Sequence, residues 1–125
     1  MSEPVVHVVD VRLVGVDDQT MDAQLRLTAE LLERREGMGD RAEAPREVDH
    51  FAFFRRNSAA QAAARELESQ GYRTTCRRRL LSVELAAHHV TAVDQQAAER
   101  FTRDVFDVIA NHGGTYDGWG AALVK

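Results

Sequence analysis

His50, Glu84 and His88 are side chains of the types that move protons or hold a metal ion, and each lies in a run with strand character. A histidine beside a carboxylate is the smallest set that can transfer a proton, and the three would converge if their strands were neighbours with these residues on one face. The wider pattern argues against a metal, because no pair of histidines or cysteines has the spacing of a zinc motif. Adjacent His88 and His89 must point to opposite sides of a strand, while His7 reads as a strand residue and His112 as a cation favoured at a helix C-terminus. Cys76, the only cysteine, has no histidine near it in sequence and reads as an edge-strand or partly buried thiol rather than a nucleophile. Arg77-Arg78-Arg79 offers sequence-blind contacts to phosphates. No phosphate loop, dinucleotide fingerprint or serine elbow is present, so neither a cofactor nor a catalytic set is expected.

The run Gly113-Gly114-Thr115-Tyr116-Asp117-Gly118-Trp119-Gly120 has a composition that simple packing does not explain. Its glycines specify backbone, and it holds the only tryptophan. They follow a helix and precede a strand, the reverse of a phosphate-binding turn. Tyr116, Asp117 and Trp119 therefore read first as anchors of a strand, and second as an aromatic and acidic docking edge for a partner.

The 125 residues suffice for one domain with a real core, and 44% hydrophobic with 29% charged residues describes an ordered globular chain. The start, Ser2-Glu3-Pro4, lacks the positive region of a signal peptide, so the expected compartment is the cytoplasm. The net charge of -4 gives no global attraction to nucleic acid. Its distribution is uneven: residues 1–49 hold 12 acidic and 6 basic side chains, whereas 50–93 hold 3 and 7.

The elements that must position these groups follow from pattern. Val5 to Val16 reads as a strand apolar on both faces, followed by an amphipathic helix from about Asp18 to Glu36 with Met21, Leu25, Thr28, Ala29 and Leu32 on one stripe. A polar linker leads to Pro45. Val48 to Phe54 is a strand with Phe51 and Phe53 on one face and His50, Ala52 and Phe54 on the other. Asn57 or Ser58 caps an alanine-rich helix that stops at Gly71. Strands over Tyr72 to Arg77 and Leu80 to Val90 come next, then a helix capped by Asp94 and stopped by Gly113-Gly114, and a last strand from Tyr116 to Val124.

The order β-α-β-β-α-β makes an α+β, ferredoxin-like two-layer sandwich with an extra N-terminal strand and helix, and right-handed crossovers predict strand order 4-1-3-2. Residues 1–44 then form an extension and 45–125 the core domain. His50, Phe54, Ser82, Glu84 and His88 are expected on the open sheet face. The extension is expected to cover that face within one chain, or to exchange with a second copy as a homodimer.

Pro45 to Phe54 (PREVDHFAFF), the alanine-rich helix ending at Gly71-Tyr72, and a second helix running into NHGGTYDGWG resemble the bacterial regulator of ribonuclease activity B (RraB) family over residues 45–125. Tyr116 to Gly120 carries the most specific part of that resemblance, supported by Glu47 to Phe51. It implies a domain that binds ribonuclease E and lowers its activity without catalysing anything itself; the residues themselves offer Tyr116, Asp117, Trp119, His50, Glu84, His88, Arg77, Arg78 and Arg79 as candidate partner contacts. Two other readings stand beside it: a direct RNA-binding module using the arginine run, and a small-molecule or enzymatic domain built around His50, Glu84 and His88.

Overall fold

A computed structural model of the chain describes residues 18–125. The strand expected over Val5 to Val16 lies outside the described residues. The elements are α1 (Met21–Gly37), β1 (Arg46–Phe54), α2 (Asn57–Ser69), β2 (Arg73–Arg78), β3 (Val83–Thr91), α3 (Gln95–Asn111) and β4 (Thr115–Ala121). The strands form one antiparallel sheet in the order β2-β3-β1-β4, the predicted 4-1-3-2 read from the other edge. All three helices contribute to buried clusters on one side of that sheet, the two-layer ferredoxin-like arrangement with one added helix.

Local signals account for most boundaries. The Thr20 hydroxyl accepts from the Ala23 amide at 3.1 Å and opens α1, and the Asp94 carboxylate accepts from the Ala97 amide at 2.9 Å and opens α3. Helix α2 differs: its cap is Arg56, whose side chain makes no capping bond, and Asn57 is already helical. Its alanines face the sheet, with Ala60, Ala63 and Ala64 buried beside Leu67, so that the helix rests close on β2 and β3. Strand β3 begins at Val83 rather than Leu80; Leu80 and Leu81 lie in the β2–β3 turn, 95% and 86% exposed.

Among the described residues the sheet has one face covered by helices and one left open, and the covered one decides the phase of each strand. Val48, His50, Ala52 and Phe54 of β1 point beneath the helices, together with Val83, Leu85 and Ala87 of β3. Residues paired across antiparallel strands share a face, so Glu47, Asp49, Phe51 and Phe53 lie on the opposite side. This corrects the placement of His50 and Phe54 on the open face. Helix α1 does not cover that face either: Thr28 meets Thr102 of α3 at 2.8 Å, and α1 extends the helical layer beside α3.

The segment between α1 and β1 is bound rather than a loose linker. Asp40 is buried between Arg35 (3.5 Å) and Arg46 (2.5 Å), and it also accepts the Val124 amide at 2.8 Å. Arg35 donates to the carbonyls of Ala121 (2.9 Å) and Ala122 (2.8 Å), and Arg46 donates to those of Arg41, Ala44 and Ala122. Two buried cations are thus met by one carboxylate and by carbonyl oxygens at the end of β4 and in the segment between α1 and β1. Burial works to raise the Asp40 carboxyl, but the Val124 amide and the two guanidinium groups outweigh it and hold it below its ordinary range.

Strand β4 explains its own glycines. Tyr116 pairs with Ala52 and Trp119 with His50, so three steps on β4 match two on β1 and one extra residue is accommodated at Asp117-Gly118. Gly118 sits there at φ +92, in the left-handed region that glycine occupies without strain. Tyr116 and Trp119, three apart, would face opposite ways in a regular strand; the bulge turns both inward, to 1% and 3% exposure. Trp119 then packs edge-on against Phe101 (centroids 5.0 Å apart), donates to Thr28 at 3.2 Å and lies under the Arg35 guanidinium.

Gly114 answers a different need, since a Cβ built there would fall 2.5 Å from the ring of Phe54. That ring is buried on the helical side, with little room to move. Gly114→Ala is therefore expected to lower stability by about 1–3 kcal/mol in urea unfolding. A change below about 0.5 kcal/mol would show that the ring yields freely.

Candidate functional site

The open face places an apolar centre inside a charged border. Across β2, β3 and β1 the rows run Arg77, Glu84, Phe53; then Thr75, Ala86, Phe51; then Arg73, His88, Asp49. Phe51 and Phe53 are half-buried there, and none of the described helices covers them. The border is internally paired: Arg73 meets Glu47, Arg79 meets Glu84 at 2.7 Å with Arg77 at 3.8 Å, and His88 Nδ1 lies 2.6 Å from Asp49. Asp117, on the β4 bulge, has its carboxyl pushed up by partial burial and by the charge of Glu84.

The residues singled out in the sequence separate into three groups. His50, Tyr116 and Trp119 are buried on the helical side at 1%, 1% and 3% exposure, so their side chains offer no surface to a partner in this conformation. Glu84, His88 and Asp117 belong to the open-face side, and Arg77, Arg78 and Arg79 to the β2–β3 turn region. His50 pairs with Ala87 and looks away from Glu84 and His88, so the alternative proton-transfer set of His50, Glu84 and His88 is not assembled. The arginine run is likewise less free than its sequence suggests, because two of its members are committed to Glu84. Cys76 is half-buried on edge strand β2, its thiol pushed up by burial and by Glu68, the opposite of an activated nucleophile.

Phe51, Phe53, Asp49 and Glu47 are what the sequence reading missed on this face. The signal that finds them is register: once Leu85 and Ala87 point inward, Ala52 and His50 must do so too, and Phe51 follows outward. Glu47, Asp49 and His88 also bring one ligand atom each within 4.8 Å of one another, the one such cluster among the described residues. A cation there would have to displace Arg73 from Glu47 and break the His88–Asp49 contact.

His50 takes part in a different polar assembly. Its Nδ1 lies 2.8 Å from the Tyr116 hydroxyl and its Nε2 lies 3.0 Å from His89 Nε2, with Tyr72 and Phe101 packed around the rings. Burial, and then the neighbouring histidines, hold His50 well below its ordinary value; burial brings His89 down to about 4. Burial likewise pushes the Tyr116 hydroxyl well up and Tyr72 up to about 12. Burial thus favours neutral imidazoles at His50 and His89 and protonated hydroxyls at Tyr72 and Tyr116. Protonating both histidines would set two N–H groups face to face.

A pH dependence follows, with a definite sign. In the unfolded chain both histidines take up a proton near pH 6.5, whereas in the fold they resist it, so the unfolded state binds more protons below that pH. Stability is expected to be fully present above about pH 6.5 and to fall as the pH drops toward about 4, which the urea midpoint measured at intervals would follow. A midpoint constant across that window would rule out buried neutral histidines.

No described helix is long and apolar enough to cross a membrane. No individual curated protein matches the sequence. The family profile described as regulator of ribonuclease activity B matches residues 26–121. That span starts inside α1, well before Pro45, and runs through the β4 bulge to Ala121. The elements just described, from the helix that clamps β4 to the bulge that turns Tyr116 and Trp119 inward, are thus the matched unit, and the chain belongs to the regulator of ribonuclease activity B family.

Proposed function

We propose that this protein is a non-catalytic cytoplasmic regulator that binds a ribonuclease E-like enzyme and lowers its action on RNA, so adjusting RNA turnover. Family membership over residues 26–121 is the observation that carries the reading. The open face supplies a contact surface of the right kind. Phe51 and Phe53 form an aromatic centre, and the charged pairs around them form a polar rim. Residues 1–44 serve as an extension to the 45–125 core in this reading, and α1 is the part that joins the helical layer.

Direct RNA binding is favoured by one observation, the presence of Phe51 and Phe53 on a central strand of an open sheet, where base-stacking aromatics sit in RNA-binding sheets. The electrostatics favour the protein partner. Glu47, Asp49, Glu84 and Asp117 border the same face, and Arg73, Arg77 and Arg79 are drawn into ion pairs rather than left for phosphates.

Both readings are decided by adding the purified protein to ribonuclease E from its host with a fluorogenic single-stranded RNA. The cleavage rate is expected to fall saturably, and Phe51→Ala/Phe53→Ala is expected to need about tenfold more protein for the same effect while keeping its circular dichroism. The RNA alone should show no mobility shift at low salt. An unchanged cleavage rate with no detectable complex would end the regulator reading, and tight, steeply salt-dependent RNA binding would replace it with the second.

A further inference from the structure

Helix α1 buries Ala23, Thr28, Leu31 and Arg35, but Leu25 and Leu32 of its apolar stripe remain only half-buried and Ala29 is exposed. These three line a groove of about 540 Å3, with Ala42 and Val93 at its base and the first turns of α3 as the far wall. Glu33, Glu36, Glu43, Asp94 and Glu99 edge it. Arg35, the one cation among the lining residues, is committed to Asp40 and to the Ala121 and Ala122 carbonyls. Asp94 caps α3 and Glu99 accepts from Gln95, whereas Glu33, Glu36 and Glu43 have no cationic partner among the described residues. An apolar floor within unneutralised carboxylates calls for an occupant with aliphatic side chains on one side and positive charge beside them.

We propose that this groove docks a basic amphipathic segment of a protein partner, with aliphatic side chains against Leu25, Ala29 and Leu32 and lysines or arginines against Glu33, Glu36 and Glu43. The chain's own first 17 residues fit poorly, since Arg12 stands against Glu3, Asp10 and Asp17. Basic segments of this kind are what RNA-handling proteins place on phosphates, so a segment held here is withdrawn from RNA. That consequence rests on the regulator reading, while the docking chemistry does not.

The test uses the full chain and a labelled helical peptide with leucines at i, i+3 and i+7 flanked by arginines, read by fluorescence anisotropy. Binding is expected to weaken with salt and to fall about tenfold or more in Glu33→Lys/Glu36→Lys/Glu43→Lys, whose exposed positions leave the thermal unfolding midpoint unchanged. Equal binding of the same peptide with glutamates for arginines, or equal binding by the triple variant, would overturn the proposal. So would a concentration-dependent dimer, seen by light scattering and lost in the triple variant, since a second copy would then be the occupant. Peptide binding that survives when ribonuclease binding fails would separate the groove from the proposed partner.

Discussion

His50 sits beneath the helices because both of its ring nitrogens are met, by the Tyr116 hydroxyl and by His89. Leaving either unmet in that interior would cost about 1–3 kcal/mol. With both satisfied, an imidazole occupies a core position between Val48 and Ala52, and the phase of β1 is set. Everything on the open face follows from that phase: Phe51 and Phe53 become its aromatic centre, and Asp49 comes to lie beside His88. The polar contacts of the buried side thus decide which chemistry the molecule shows to a partner.

A second set of buried contacts fixes α1 to the sheet. Trp119 reaches Thr28 of α1, which in turn meets Thr102 of α3, while Arg35 closes on the last carbonyls of β4. The groove edged by Glu33, Glu36 and Glu43 exists because these contacts hold α1 by one side only, leaving Leu25 and Leu32 partly uncovered. Buried ionic groups of the Arg35–Asp40–Arg46 kind contribute little net stability, but removing one partner strands the others.

Element order, the helix cap at Asp94 and the sheet order were legible because they rest on short-range chemistry and on crossover handedness. The phase of β1 was not, because both of its faces are apolar: Phe51 and Phe53 on one, Val48, Ala52 and Phe54 on the other. A histidine then looks like the polar marker of the outer face, and only the pairing with β3 reveals otherwise. The role of Arg35 and Arg46 was hidden for a similar reason, since an arginine beside a polar connecting segment looks solvated until the carbonyls it meets, 76 to 87 residues away in sequence, are brought beside it. Hydropathy likewise assigned Leu80 and Leu81 to a strand, but the β2–β3 turn closes through the Arg79 amide and the Ser82 carbonyl and leaves both leucines outside.

The bulge at Asp117-Gly118 makes β4 a strand whose two halves obey opposite parity. Shortening it by one residue would leave every letter of the flanking sequence in place and yet evert Trp119 and Ala121, releasing the helix that Trp119 holds. What the Tyr-Asp-Gly-Trp run encodes is therefore a count as much as a composition. In this stretch an insertion or deletion is a graver change than a conservative exchange of side chains.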